Sequence, residues 1–186
     1  MLQVLTGSAK GVRLRVPRGG RVRPTSGRVK QSIFGRLGPL EGARVLDIFS
    51  GTGGLGIEAL SRGARHATFV DNDPVVCAML RDNLRRCALV GRAEVYCTDY
   101  RHAVARLLRR GEMFDVVFVD PPYPMYRRVP AEELALMCVP LVGTGGVLVI
   151  KHTTPLVAKE MDSMEVVARG FGDTNVSFIS PRGVDR

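Results

Sequence analysis

With 186 residues and 45% hydrophobic side chains, the chain is long enough to fold as one domain around a real core and too apolar to be disordered. No apolar run approaches a membrane span, and MLQVLTGSAKGVRLRV lacks the apolar block and small-residue cleavage site of a secretory leader, so a cytoplasmic protein is expected. The net charge of +9 is uneven: residues 1–40 carry nine Lys or Arg and no acid, while the other 146 carry eighteen of each sign.

The basic block contains far more arginine than lysine, which suits bidentate contacts to phosphate. It points to nucleic acid as the partner, with Arg13, Arg15 and Arg21 as candidate contacts. Within it, residues 2–6 and 12–16 are predicted as two short strands around GSAKG. Pro24 and Gly27 then break the chain. Thr25 or Ser26 can cap a helix that carries Val29, Ile33, Phe34 and Leu37 on one face, with Arg28, Lys30 and Arg36 off it, and Gly38-Pro39 ends that helix.

From residue 43 strands and helices alternate. Strands are predicted at 43–48, 66–71, 92–97, 114–120 and 145–151, and helices at 54–62, 74–89, 100–110 and 130–140. Asp73-Pro74 is a cap followed by a first-turn proline. Ala103, Val104, Leu107 and Leu108 form one apolar stripe, closed by Gly111. Near-continuous apolar strands between helices imply a doubly wound, mostly parallel sheet covered on both faces. Two further strands, 164–169 and 174–179, are expected as an antiparallel hairpin at the sheet edge. Cys77, Cys87, Cys97 and Cys138 form no C-x-x-C pair, and reduced, buried thiols without a metal are expected.

Four stretches carry chemistry. In LDIFSGTGGLGIEAL, residues 51–56 read G-x-G-x-x-G at a strand-to-helix junction, where glycines let the backbone approach a ligand at a helix N-terminus. Dehydrogenases share this pattern. Asp47, four residues before Gly51, tilts the choice: it would repel a pyrophosphate and suits a ligand with an ammonium or sulfonium group. In FVDNDPVV, Asp71 ends a strand and can accept from two ribose hydroxyls, with Asn72 against an adenine. In YCTDY, Asp99 can accept from the adenine amine, cap the next helix, or do both.

The fourth stretch, VFVDPPYPMY, places Asp120 at the end of a strand beside the first one, the switch point at which ligands bind such sheets. A flat base with an exocyclic amine delocalises its nitrogen lone pair into the ring. The Asp120 carboxylate and the Pro121 carbonyl can accept the two amine hydrogens and draw that nitrogen toward tetrahedral geometry. Tyr123 can stack on the base, an interaction worth ~1–3 kcal/mol. Pro121 and Pro122 stiffen the acceptors, which is preorganisation.

DIFSGTGGLGIEALSRGA, FVDND and FVDPPY resemble class I S-adenosylmethionine-dependent methyltransferases with a D/N-P-P-Y/F motif. GSAKGVRLRVP, RPTSGRVKQSIF and FGDTNVSFI narrow the resemblance to the bacterial RsmD-type 16S rRNA guanine-N2 methyltransferases, along nearly the whole chain. The resemblance implies a Rossmann-like, seven-stranded mixed sheet at 41–186 preceded by a hairpin-and-helix extension at 1–40. It implies S-adenosylmethionine as donor, no metal, and a monomer acting on ribosomal RNA within an assembling small subunit. The donor residues are then Asp47, Phe49, Ser50, Gly51, Gly53, Gly56, Asp71, Asn72, Asp99 and Tyr100, and catalysis falls to Asp120, Pro121, Pro122 and Tyr123. Arg23, Thr25 and Arg28 join the RNA-contacting or donor-covering element. Lys151 stands where relatives often carry an acid. The residues alone leave other readings open: an adenine-N6 or protein-glutamine methyltransferase, a nicotinamide dehydrogenase, and an inactive RNA-binding module.

Overall fold

The computed structural model describes residues 2–17, 25–153, 156 and 164–181. Seven strands, β1 (Arg44–Ile48), β2 (His66–Asp71), β3 (Ala93–Cys97), β4 (Phe114–Val119), β5 (Val142–His152), β6 (Met164–Phe171) and β7 (Thr174–Pro181), form one sheet in the order β3-β2-β1-β4-β5-β7-β6. The first five run parallel, and β7 pairs antiparallel with both β5 and β6. Among the described residues five α-helices accompany them: α1 (Gly27–Leu37), α2 (Gly56–Ser61), α3 (Pro74–Arg86), α4 (Tyr100–Arg109) and α5 (Ala131–Cys138). This is the doubly wound, mostly parallel sheet with a terminal antiparallel hairpin that the pattern implied.

Period-2 geometry splits each strand between two cores. Val45, Phe69, Val116 and Phe118 pack with α1, α2, α3 and the N-terminal segment, whereas Leu46, Ile48, Val117 and Val119 pack with α4 and α5. Leu2, Val4, Ala9 and Leu14 are buried in the first core, so the leading residues are fastened to the sheet domain by apolar contact. Asp73 caps α3 by accepting from Val75 N (2.8 Å) and Val76 N (3.3 Å), and Pro74 follows at the first turn.

Several expectations need correction. The two leading strands reduce to a single antiparallel bridge, Gln3 with Arg13, supported by three backbone bonds between residues 2–4 and 11–14. Lys30 is not off the apolar face of α1; it is 1% exposed and pairs with the buried Glu58 of α2 at 2.8 Å. At about 100° per residue, position 30 falls between Ile33 and Phe34 around the helix, so geometry, not polarity, decides its side. Its burial is matched by an opposite charge and by a bond to the Gln3 carbonyl at 3.0 Å. Leu108 is exposed at the margin of its stripe, and Cys97 is exposed at the end of an edge strand while the other three cysteines are buried. β5 starts at Val142, earlier than expected, because the register against β4 shifts between Phe114 and Val116 and lets Gly143, Gly145 and Gly146 extend the strand. No helix among the described residues is long and apolar enough to cross a membrane.

Candidate active site

The carboxyl ends of β1, β2, β3 and β4 open on one cavity of about 1130 Å³. That exceeds the usual volume for one drug-sized ligand and leaves room for two. Its walls bring together Asp47, Phe49, Ser50, Gly51, Asp71, Asn72, Asp99, Tyr100, Asp120, Pro121, Pro122 and Tyr123, segments that lie far apart in sequence. Sheet topology does this: β1 lies between β2 and β4, so the loops after all three converge at the crossover.

The glycine loop is held from two sides. Asp71 accepts from Gly51 N (2.8 Å) through one carboxylate oxygen and from Asp73 N (3.0 Å) through the other. Asp47 Oδ2 accepts from Gly56 N at 2.8 Å, where α2 begins. Phe49 and Gly51 take positive φ, 62° and 53°. Gly56 is required by packing, since a Cβ there would stand 2.3 Å from the Phe69 ring, and at Gly53 (φ 91°) one would stand 2.5 Å from Leu80. Gly53 and Gly56 therefore close the loop onto its own core, while Gly51 faces the cavity. Asp99 caps α4, accepting from Arg101 N at 2.8 Å, and the Phe49 and Tyr100 rings meet at 4.9 Å between centroids.

Among the described residues, three buried side-chain polar atoms lack a partner: Asp47 Oδ1, Ser50 Oγ and Tyr100 Oη. All three residues line this cavity. Buried polar atoms in folded proteins are nearly always bonded, so a cluster of three without partners marks a place for a polar ligand. Burial pushes the Asp47 carboxyl up to about 7; the Gly56 N–H opposes this and the neighbouring Asp120 and Asp71 charges add to it. A cationic group on the ligand would relieve that cost, so the residues present fit a donor with an ammonium or sulfonium centre. No group of three His, Cys, Asp or Glu side chains among the described residues is placed to hold a metal ion.

Asp120, in the wall of the same cavity, sits in a network the sequence did not foretell. The Lys151 ammonium at the end of β5 lies 2.5 Å from Asp120 Oδ1 and 2.8 Å from Oδ2. The Thr25 hydroxyl donates to Oδ2 at 2.5 Å. The same ammonium is 5.8 Å from the Tyr123 ring centroid, and the Tyr123 hydroxyl is 2.6 Å from Thr174 Oγ1 on β7. The Tyr126 hydroxyl also donates to the Lys151 carbonyl. Carboxylate and ring are thus anchored by β5, β7 and the entry to α1. A carboxylate has about four lone-pair sites, and these bonds occupy three, which leaves one on Oδ1 for an incoming amine.

The candidate RNA residues are scattered. Arg13 and Arg28 are exposed, whereas Arg15 is paired with Asp82 at 2.7 Å. Arg21 and Arg23 lie outside the described residues. Thr25 is at the Asp120 carboxylate. Sequence reading missed Arg101, Arg127 and Arg128, which line the cavity mouth, although the last two directly follow DPPYPMY. It also missed Leu2, which brings the N-terminal segment to the cavity wall beside Gly54.

A glycine loop at a crossover, a carboxylate after β2 and a rigid Asp-Pro-Pro-Tyr turn after β4 together define a class I methyltransferase fold. The model of the family described as "Conserved hypothetical protein 95" matches residues 2–180, and the chain belongs to this RsmD-type family. It is 36% identical over 185 residues to the YlbH protein of Bacillus subtilis (strain 168), covering 98% of this chain and 100% of that one. It is 37% identical to Ribosomal RNA small subunit methyltransferase D of Escherichia coli (strain K12) over 123 residues, 66% of this chain and 60% of the other. Among solved structures, a hypothetical protein of Thermus thermophilus superposes with a TM-score of 0.80 at 31% identity, covering 96% of this chain and 98% of that one.

Proposed function

We propose that the protein transfers a methyl group from S-adenosylmethionine to the exocyclic N2 of a guanine in 16S ribosomal RNA, acting as a cytoplasmic enzyme. The observation that carries this reading is one cavity whose wall holds both three unpartnered buried polar groups and the Asp-Pro-Pro-Tyr turn. The donor supplies an electrophilic methyl carbon on a positively charged sulfur. Asp71 and Asn72 are suited to its ribose and adenine, Asp99 to the adenine amine, and Asp47 to the ammonium of its amino-acid end. Asp120 accepts an N–H of the target amine on its remaining lone-pair site, the Pro121 carbonyl accepts the second, and Tyr123 holds the base flat. The nitrogen lone pair would then be aimed at the methyl carbon of a bound donor; the N–C bond would form as the C–S bond breaks with its electron pair left on sulfur, and the proton lost by nitrogen would pass to the Asp120 carboxylate and on to solvent. Lys151 and Thr25 hold the carboxylate against rotation, so little reorganisation remains at the moment of transfer.

Adenine N6 offers the same local chemistry, and the turn alone does not choose between the two. The relatives' names favour small-subunit ribosomal RNA as the substrate, and the choice of guanine N2 follows from the family resemblance of the sequence motifs. The test is methylation of small subunits and of naked 16S rRNA, both from cells lacking the gene, with isotope-labelled donor, followed by nuclease digestion and mass mapping. N2-methylguanosine at one position is expected. Label in N6-methyladenosine, or no label in RNA, overturns the reading.

A further inference from the structure

We propose that Arg101, Arg127 and Arg128 form a phosphate-gripping rim that holds the RNA strand on both sides of the target base. The inference rests on the reading of the cavity as an RNA methyltransferase site, and it moves the main electrostatic contact away from the basic leading segment.

The cavity is layered by charge. Its floor, the buried and half-buried part of the wall, carries Asp47, Asp71, Asp73, Asp99 and the Lys151-paired Asp120, and its mouth, the exposed part, carries the three arginines. A phosphate is repelled by that floor, whereas a neutral base is not. A nucleotide therefore enters base first and leaves its backbone at the mouth. Asp120 is only 16% exposed, so a base that reaches it has left its stack, and the strand is held by its flanking phosphates.

The three arginines are equipped for this. All are exposed, and none is in an ion pair among the described residues, although Arg101 lies 4.7 Å over the Tyr100 ring. Other arginines are already neutralised: Arg15 and Arg85 by Asp82, Arg44 by Glu112, and Arg62 by Glu58. Arg127 and Arg128 close the 3₁₀ turn that begins at Tyr123, so their backbone is continuous with the catalytic turn. Arg101 stands beyond the end of β3, and β2 and β1 separate β3 from β4. Three inter-strand spacings separate the ends of β3 and β4 by roughly 14 Å, so the two groups leave the sheet from different strands. Guanidinium is the side chain best matched to bidentate phosphate contact.

The test compares two triple variants with equal charge loss: Arg101→Gln/Arg127→Gln/Arg128→Gln at the rim, and Arg106→Gln/Arg109→Gln/Arg110→Gln at the exposed C-terminal end and cap of α4. RNA affinity is measured against salt, with kcat, KM for RNA, and donor affinity by calorimetry. The rim variant is expected to lose ~0.7 in log–log salt slope per phosphate contact, about 2 in total. Its KM for RNA is expected to rise at least tenfold at physiological salt, with kcat at saturation and donor affinity near those of the parent. The α4 variant is expected to change each by under threefold. The charge-retaining variant Arg101→Lys/Arg127→Lys/Arg128→Lys keeps most of the slope, which separates lost charge from a misfolded turn. The proposal is overturned if the rim variant matches the parent or matches the α4 variant. A parent that binds RNA through the rim but makes no methylated guanine overturns the methyltransferase reading instead, so the two failures differ.

Discussion

Removing the Asp120 carboxylate has two consequences that the geometry allows to be separated. Asp120→Ala deletes the acceptor proposed for the target amine, and loss of one preorganised group of this kind lowers kcat by ~10²–10³. It also strands Lys151, whose ammonium bonds both Asp120 oxygens and is only 13% exposed. Breaking a fully buried pair costs about 3–5 kcal/mol and an exposed pair about 0–1, so this half-buried case is expected to cost about 1–3 kcal/mol. For a chain of this size that lowers Tm by about 2–4 °C per kcal/mol. Lys151→Met in the same molecule removes the stranded charge. The double variant is expected to recover most of the lost stability, measured by urea titration, and none of the lost rate, measured in single-turnover methylation with donor affinity checked by calorimetry. If the double variant regains the rate, Asp120 serves only as a counter-ion for Lys151, and the amine-acceptor role fails.

Three further outcomes follow from the same framework. Asp47 is raised to about 7 by burial, so between its ordinary 3.8 and about 7 the folded state holds a proton that the unfolded state has released; stability of the ligand-free protein is expected to fall as pH rises through that window and to level off above it. Asp47→Asn flattens that slope in thermal scans at pH 4 to 8, and an unchanged slope refutes the assignment. Asp71→Ala removes the acceptor of Gly51 N as well as the proposed ribose contacts; with a charged acceptor worth ~1.5–3 kcal/mol per bond, donor affinity is expected to drop at least tenfold by calorimetry, and unchanged affinity makes Asp71 purely structural. Glu58→Leu is expected to destabilise more than Lys30→Met in denaturant titrations, because Arg62 remains to neutralise Glu58 whereas Lys30 keeps only the Gln3 carbonyl; equal costs contradict that asymmetry.

What could be read from the sequence was local or periodic. β2 occupies 66–71 as its apolar run indicated, and Asp73 caps α3 because cap and proline are adjacent in the chain. The glycine loop and the Asp-Pro-Pro-Tyr turn each announce themselves within a few residues. What could not be read depends on partners far along the chain. Lys30 is buried because Glu58 meets it from another helix, and Glu58 also accepts from the backbone of Leu5 (2.8 Å) and Thr6 (3.1 Å). Lys151 and Thr25 join Asp120 only because the sheet brings the end of β5 and the entry to α1 to the same carboxylate.

The same non-locality limits what the charge of a segment says about an RNA contact. The whole excess of +9 falls in residues 1–40, yet Lys30 and Arg15 of that segment are paired with acids from the part that sums to zero. Within that neutral part exposure separates the cavity's charges: its carboxylates, and the Lys151 paired with Asp120, are buried or half-buried, and its arginines are exposed. A phosphate responds to the guanidinium groups within a Debye length, about 8 Å at physiological salt, and not to the total over a stretch of sequence. The relevant quantity is therefore unpaired charge at a given place in the fold, and by that measure the mouth at Arg101, Arg127 and Arg128 outranks Arg15, whose charge Asp82 already answers.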